Sequence, residues 1–244
     1  MLTQTKQKSV METNIKAWWL GHSAFRIESP TGKVIYIDPF LSGNPTTPDE
    51  FKTPDDVDYI LLTHGHEDHV GDTIEIAEKT GCTVVAQVEL SHLLKKNGLK
   101  EDQRIEFNKG GTVNFDDFSV TLVNANHSSS FGGEYAGEAG GLILSFEDDI
   151  CFYHMGDTNI FSDLELYRDL YVPHVVAVPI GDHYTMGPEE AALCCEMLEP
   201  EIAIPVHYGT FPVLTGSPED FKSFVAEVSD TEVIIPKPGD KFLG

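Results

Sequence analysis

The chain is poor in positive charge. Only 16 Lys and Arg stand against 40 Asp and Glu, for a formal net charge of -24, and just three of the bases are Arg (Arg26, Arg104 and Arg168). Nucleic acids and anionic membranes are themselves negative and call for a basic surface, so general binding to either is excluded as a first reading. Cysteine is scarce as well. Cys82, Cys151, Cys194 and Cys195 form no CxxC pair, which excludes a zinc knuckle and a secreted disulfide framework. Free thiols suit a reducing cytoplasm. No run of 18 apolar residues occurs, so no membrane span is expected, and the polar start of the chain lacks the apolar core of a signal peptide.

What is present is enough apolar material for a large core. Hydrophobic residues make up 41% of 244 positions, which excludes a disordered chain and removes any need for disulfide staples. Short runs rich in β-branched and aromatic residues recur, separated by turn residues, and predict strands over 17–20, 23–28, 34–38, 59–63, 83–88, 119–125, 142–146, 150–154, 175–180, 203–206 and 232–235. Helical patterns predict helices over 73–79, 90–96, 162–170, 188–198 and 218–228. Ser217-Pro218-Glu219-Asp220 offers an N-cap hydroxyl, a proline at the first helical position and acids in the first turn. The order of elements favours an α/β fold in one domain, with two sheets packed together and helices outside. Residues 1–14 read as an N-terminal tail and 15–244 as the domain. Ten acids crowd the span from Asp49 to Glu78 and read mostly as a solvated surface.

One segment stands apart. In Thr63-His64-Gly65-His66-Glu67-Asp68-His69 an apolar strand ends, and three His and an Asp follow within six residues. His64 and His66, two apart, can converge on one side of an extended loop, while Asp68 and His69 lie past the turn and can face a second point. Two neighbouring divalent ions are the natural occupants. Imidazole and carboxylate suit Zn, Mn or Fe, and the lack of Cys ligands argues against a purely structural zinc. Ligands from elsewhere should complete such a site. His127, Asp157 and His207 each follow an apolar strand where a loop with small residues begins.

This set, in this order, resembles the metallo-β-lactamase superfamily from about residue 15 to residue 236. The segments Trp19-Leu20-Gly21-His22-Ser23-Ala24-Phe25, Asp38-Pro39-Phe40-Leu41, Asn126-His127-Ser128-Ser129-Ser130 and Pro179-Ile180-Gly181-Asp182-His183-Tyr184 resemble its metal-dependent hydrolases similar to ascorbate-6-phosphate lactonase. The resemblance implies an αββα four-layer sandwich. It implies one ion on His64, His66 and His127, a second on Asp68, His69 and His207, and Asp157 bridging them, with Zn first and Mn or Fe as alternatives. A water or hydroxide shared by the two ions would attack an ester-like centre, with Asp68 able to relay a proton. Divalent ions lower the pKa of bound water to about 7, so that chemistry is physically sound at neutral pH.

Other residues keep two readings. Asp38 orients a ligand imidazole or makes an Asx-turn at the strand end. His22 faces the pocket or caps the turn after Gly21. His183 acts as a general acid or substrate binder, or bonds the backbone of its turn; Asp182 belongs to the pocket or points outward beside it. Ser128 and its neighbours bind substrate or satisfy loop backbone, since no G-x-S-x-G elbow supports a serine nucleophile. His154 reads as a satisfied strand histidine, and Cys194-Cys195 as one core and one boundary thiol.

The function expected is hydrolysis of a lactone or other ester of a small polar metabolite, by a cytoplasmic enzyme with no membrane partner. A homo-oligomer is compatible with the sequence. The rival readings are a phosphodiesterase or nuclease on the same fold and, from another class, a mono-iron oxidoreductase of the sulfur dioxygenase kind.

Overall fold

A computed structural model describes residues 13–244, so the expected tail falls almost wholly outside the described residues. At its boundary, the Thr13 hydroxyl and the Asn14 amide both donate to the Asp148 carboxylate.

The chain forms two seven-stranded sheets. The first half contributes β1 (Lys16–Gly21), β2 (Ala24–Glu28), β3 (Val34–Ile37), β4 (Tyr59–Leu61), β5 (Thr83–Gln87) and β6 (Arg104–Phe107), with helices α1 (Glu67–Val70), α2 (Thr73–Thr80) and α3 (Val88–Lys96). The second half contributes β7 (Thr112–Asn114), β8 (Phe118–Asn124), the small hairpin β9 (Ser130–Phe131) and β10 (Glu134–Tyr135), β11 (Gly140–Phe146), β12 (Cys151–His154), β13 (Val175–Pro179), β14 (Ile202–Val206) and β15 (Glu232–Val233). Its helices are α4 (Leu164–Tyr171), α5 (Pro188–Leu198) and α6 (Pro218–Val228), and β16 (Lys241–Leu243) returns to the first sheet beside β1.

The strand orders are β16-β1-β2-β3-β4-β5-β6 and β15-β14-β13-β12-β11-β8-β7. Each sheet is antiparallel toward one edge and parallel toward the other: β1 to β3 and β7, β8, β11 and β12 pair antiparallel, while β3 to β6 and β12 to β15 pair parallel. Parallel strands must be covered on both faces, and their residues sort accordingly. Ile35, Ile37 and Val85 point into the layer between the sheets, where they meet Leu142, Leu144, Val175 and Ala177. The alternate residues Val34, Tyr36 and Val84 pack under Ile76, Leu90 and Leu94 of α2 and α3. Ile143, Val176 and Val178 pack under α4 to α6. Period-two alternation along buried strands therefore builds the four layers αββα. A large-to-small change at a fully buried position such as Phe25 would cost about 3–5 kcal/mol.

The expected strands and helices all appear, with shifts of a few residues at their ends. Ser217 caps α6 by accepting from the Asp220 amide at 3.1 Å. One expectation needs correction. Cys194 and Cys195 are both fully buried on α5, because that helix packs against both α4 and α6 and both residues join the core beneath it. Neither is a boundary thiol.

Candidate metal centre

The site lies where strand ends of both sheets meet. Asp38 follows β3, His64 to His69 follow β4, His127 follows β8, Asp157 follows β12 and His207 follows β14. Within each sheet these strands run in the same direction, so their C-terminal ends share one edge. Loops at strand ends can carry polar groups that strands buried on both faces cannot.

The donors gather into two neighbouring clusters. His64, His66 and His127 form the first, with ring centroids 4.6, 5.3 and 5.1 Å apart. Asp68, His69 and His207 form the second, joined by His22. Asp157 lies between them. Its Oδ2 is 3.5 Å from His127 Nε2 and 3.1 Å from His207 Nε2, and its Oδ1 is 3.2 Å from His69 Nε2.

Local structure explains the placement. After Leu61 the chain leaves the sheet as a loop that passes so close to the β9–β10 hairpin that a side chain at position 65 would lie 2.5 Å from Ala136; Gly65 is the residue that fits between the two histidines. His66 then starts α1, whose single turn presents Asp68 and His69. On the other sheet, Gly181 passes His207 at a distance where a Cβ would meet its carbonyl oxygen at 2.0 Å. Five non-glycine residues around the centre hold positive φ: His22 (53°), Asp38 (44°), Asp182 (60°), His183 (56°) and His207 (58°). Such strain persists where the surrounding structure over-determines it, as at functional sites.

Asp38 is the buried organiser. It accepts from the Thr63 amide (2.9 Å), the Thr63 hydroxyl (2.6 Å) and His69 Nδ1 (2.7 Å). Because His69 donates from Nδ1 to Asp38, Nε2 is the nitrogen that faces the cluster and would offer its lone pair once its proton leaves. Thr63 spends its one proton on Asp38, so it accepts from His64 Nδ1 at 3.0 Å. That leaves His64 Nε2 unprotonated and facing His66 Nδ1 at 2.9 Å. One carboxylate thus sets the tautomers of two histidines, the arrangement that orients metal-ligating imidazoles. Asp72 holds Asp38 in turn by accepting from the Leu41 and Ser42 amides at 2.8 Å, which pins the loop after β3 to the motif. Only the fold brings position 72 against the 38–42 loop.

The atoms facing the space between the clusters are buried and short of partners. His69 Nε2, His207 Nε2 and Asp157 Oδ1 have no hydrogen-bond partner. Orphaned buried polar atoms are costly unless something pairs with them, and carboxylate with imidazole lone pairs is a donor set for divalent cations. The residues present therefore fit a metal centre.

The charges are unequal. Burial, with His69 nearby, holds His64 well below its ordinary pKa, and burial lowers His66 and His127 too. Burial would lower His69 as well, but Asp157 and Asp38 outweigh it and raise it well above the usual histidine range. Burial would raise Asp157 and Asp68. His207 and His69 reverse that for Asp157, and the hydrogen bond from His22 together with His69 does so for Asp68, so both carboxylates stay ionised. Burial, with His207 adjacent, pushes His22 down to about 4.

The residues with two readings are placed as follows. His22 is both the turn after Gly21 and a wall of the second cluster, buried with Nε2 3.1 Å from Asp68 Oδ2. Ser128 lies at the exposed rim, 3.5 Å from His66 Nε2. Ser129 serves the loop, accepting from the Gly65 amide and donating to the Ala136 carbonyl. Asp182 accepts from the amide of His183 at 2.7 Å in an exposed turn. The exposed His183 ring packs edge-on against Tyr184, with centroids 4.5 Å apart. No hydrogen bond ties Asp182 or the His183 ring to the clusters among the described residues, although their loop flanks His207. His154 is the satisfied strand histidine expected, bonded to the Ser23 carbonyl and the Gly156 amide.

Comparison with known proteins shows the family of the chain. The profile described as "Beta-lactamase superfamily domain" matches residues 16–207. A protein of Koribacter versatilis described as a UPF0173 metal-dependent hydrolase is 46% identical over 230 residues, which is 93% of this chain and 97% of the relative. The structure of Igni18, a metallo hydrolase from Ignicoccus hospitalis, superposes with a TM-score of 0.82 at 34% identity, covering 93% of this chain and 97% of that one. The di-iron β-hydroxylase CmlA of Streptomyces venezuelae has a TM-score of 0.70 at 13% identity over 94% of this chain and 54% of its own, a likeness of fold alone. The chain belongs to the β-lactamase superfamily, as a metal-dependent hydrolase, and within it to the UPF0173 metal-dependent hydrolases.

Proposed function

We propose that the two clusters hold two divalent ions and that the protein hydrolyses a lactone or other carboxylic ester of a small polar metabolite in the cytoplasm. The observation carrying this reading is the set of buried atoms without partners, His69 Nε2, His207 Nε2 and Asp157 Oδ1, between two groups of converging donors. His64, His66 and His127 would hold one ion and Asp68, His69 and His207 the other. Asp157 faces both clusters, its Oδ2 near His127 and His207 and its Oδ1 near His69, and would join them. Zn is the first choice for so many imidazoles, with Mn or Fe fitting the same donors. Bound divalent ions supply Lewis acidity and ionised water near neutral pH.

The chain's own residues have distinct tasks. Asp38 and Thr63 take the Nδ1 protons of His69 and His64, so that the Nε2 atoms are the ones aimed inward. Asp68, about a third exposed and ionised, is placed to accept a proton beside the reacting centre. Ser128 and the 181–184 loop stand at the solvent side, where they would meet substrate rather than ions. No helix among the described residues is long and apolar enough to cross a membrane. The strongly negative chain weighs against a polynucleotide.

The test is metal analysis of chelator-free protein combined with a hydrolysis screen of lactones, simple esters, phosphodiesters and RNA. Two ions per chain and turnover of a lactone or ester are expected. Turnover of RNA or phosphodiesters alone would replace the ester reading with the nuclease one. A single iron with oxygen-dependent turnover would replace it with the oxidoreductase one.

A further inference from the structure

His22 lies outside the HGHEDH motif, on the tight turn between β1 and β2, yet its ring is fully buried against the second cluster. Its centroid is 4.1 Å from that of His207 and 5.7 Å from that of His69. Proximity alone would make it a fourth donor beside Asp68, His69 and His207. Hydrogen bonding says otherwise.

The two ring nitrogens of His22 are both engaged. Nε2 is 3.1 Å from Asp68 Oδ2 and Nδ1 is 2.9 Å from the Thr210 hydroxyl. An ionised carboxylate can only accept, so Nε2 carries the proton and donates it. A neutral His22 then accepts at Nδ1, and Thr210 donates to it. Thr210 is itself buried, and its other acceptor, the Tyr208 carbonyl, is at 3.5 Å, so His22 is its better partner. The contrast with the neighbouring imidazoles is direct: His69 Nε2 and His207 Nε2 lack partners, whereas His22 has one at each nitrogen. Phe40 and Phe211 meet the His22 ring edge-on, with centroids 5.8 and 5.6 Å away, and fix its plane. The turn holds this posture at a φ of 53°, an uncommon conformation for a residue other than glycine.

We infer that His22 is a positioning residue rather than a metal ligand: the chain Thr210–His22–Asp68 anchors Asp68 Oδ2, the oxygen that also lies 3.8 Å from His207 Nε2, by a hydrogen bond and so fixes the carboxylate against the second cluster. The inference rests on the two-ion reading for its consequence but not for its geometry, and the tests separate the two.

The tautomer is read by long-range proton–nitrogen NMR of metal-free and zinc-loaded protein with labelled histidine. An Nε2-protonated His22 in both states is expected. An Nε2 that loses its proton and shifts on adding zinc would make His22 a ligand and overturn the proposal. Competition with a chromophoric chelator then measures zinc affinity. His22→Ala should weaken the second ion about 10- to 100-fold and leave the first nearly unchanged. His22→Gln, whose amide can donate to Asp68, should recover part of that loss, and Thr210→Val should cause a smaller loss of the same kind. X-ray absorption of His22→Gln loaded at saturating zinc should count as many imidazole nitrogens per zinc as the unchanged protein.

A missing imidazole in that count would overturn the proposal, as would full affinity in His22→Ala, which would leave His22 a space-filler. Should the unchanged protein take up only one zinc, the two-ion reading fails, and the NMR tautomer still decides whether His22 donates to Asp68.

Discussion

The two clusters, a few ångströms apart, are built on opposite electrostatic plans. The first is made of three imidazoles whose pKa values burial pushes down, with His66 and His127 half-buried and turned toward solvent. The second combines two carboxylates, Asp68 and the shared Asp157, with two fully buried imidazoles, braced by Asp38 on one side and His22 on the other. Neutral, accessible donors make an exchangeable position. Buried charges are costly unless paired, so they make a position whose occupant also completes the fold. Ions held in these two positions are expected to separate in affinity, pH response and effect on stability.

The largest effect is expected where the comparison collapses. Asp157 faces both clusters, so Asp157→Ala should remove ions from both and lower turnover about a thousandfold or more, consistent with the several kcal/mol that metal ions contribute to transition-state stabilisation. Steady-state kinetics with metal analysis checks this, and full activity would place the site elsewhere.

Removing a brace should be asymmetric. Asp38→Asn tolerates the positive φ at that position but cannot accept from Thr63 and His69 as the carboxylate does. It should weaken the second ion about 10- to 100-fold, measured by chelator competition. His127→Ala should show the reverse order, losing the first ion while the second remains.

The pH response should divide the clusters more gently. His64, His66 and His127 are lowered and therefore already neutral at pH 7, so the first position should bind without releasing protons. His69 is raised by Asp157 and Asp38 against its burial, so an ion in the second position must expel its proton. Affinity there should fall by about tenfold per pH unit on acidification below that raised value. In metal-free protein the same proton stabilises the fold below the ordinary histidine pKa of about 6.5, and that contribution is lost as pH rises through the raised value. Calorimetric titration in buffers of different ionisation enthalpy counts the protons released.

The smallest effect is expected at the rim. The His183 ring has no hydrogen bond to either cluster, so His183→Ala should change kcat by less than about tenfold and leave both ions bound. A larger fall in kcat at full metal content would restore it as a general acid.

The metal-ligand candidates were visible because each follows an apolar strand whose period of two is plain, and because three His and an Asp fall within six residues. What the sequence hid was long-range. His22 and Thr210 are 188 positions apart, and a hydrogen bond between them depends on how the β1–β2 turn meets the loop after β14. Asp72 lies in a stretch of acids with no local signal that sets it apart, and only the fold brings the loop after β3 onto it. The edge strand Lys241–Leu243 has no strong pattern of its own and pairs with β1 across almost the whole chain. The single turn of α1 is too short for any periodicity to reveal. Backbone strain was equally invisible, because nothing in the identities of His22, Asp38 or His207 announces a positive φ.

Ion counting tests most directly whether the two unlike clusters hold two ions. Native mass spectrometry of chelator-free protein, followed by stepwise chelation, should show two divalent ions per chain and then a one-ion species that retains the second cluster's occupant. A single ion at saturation, or two ions that leave together at one chelator concentration, would contradict the account.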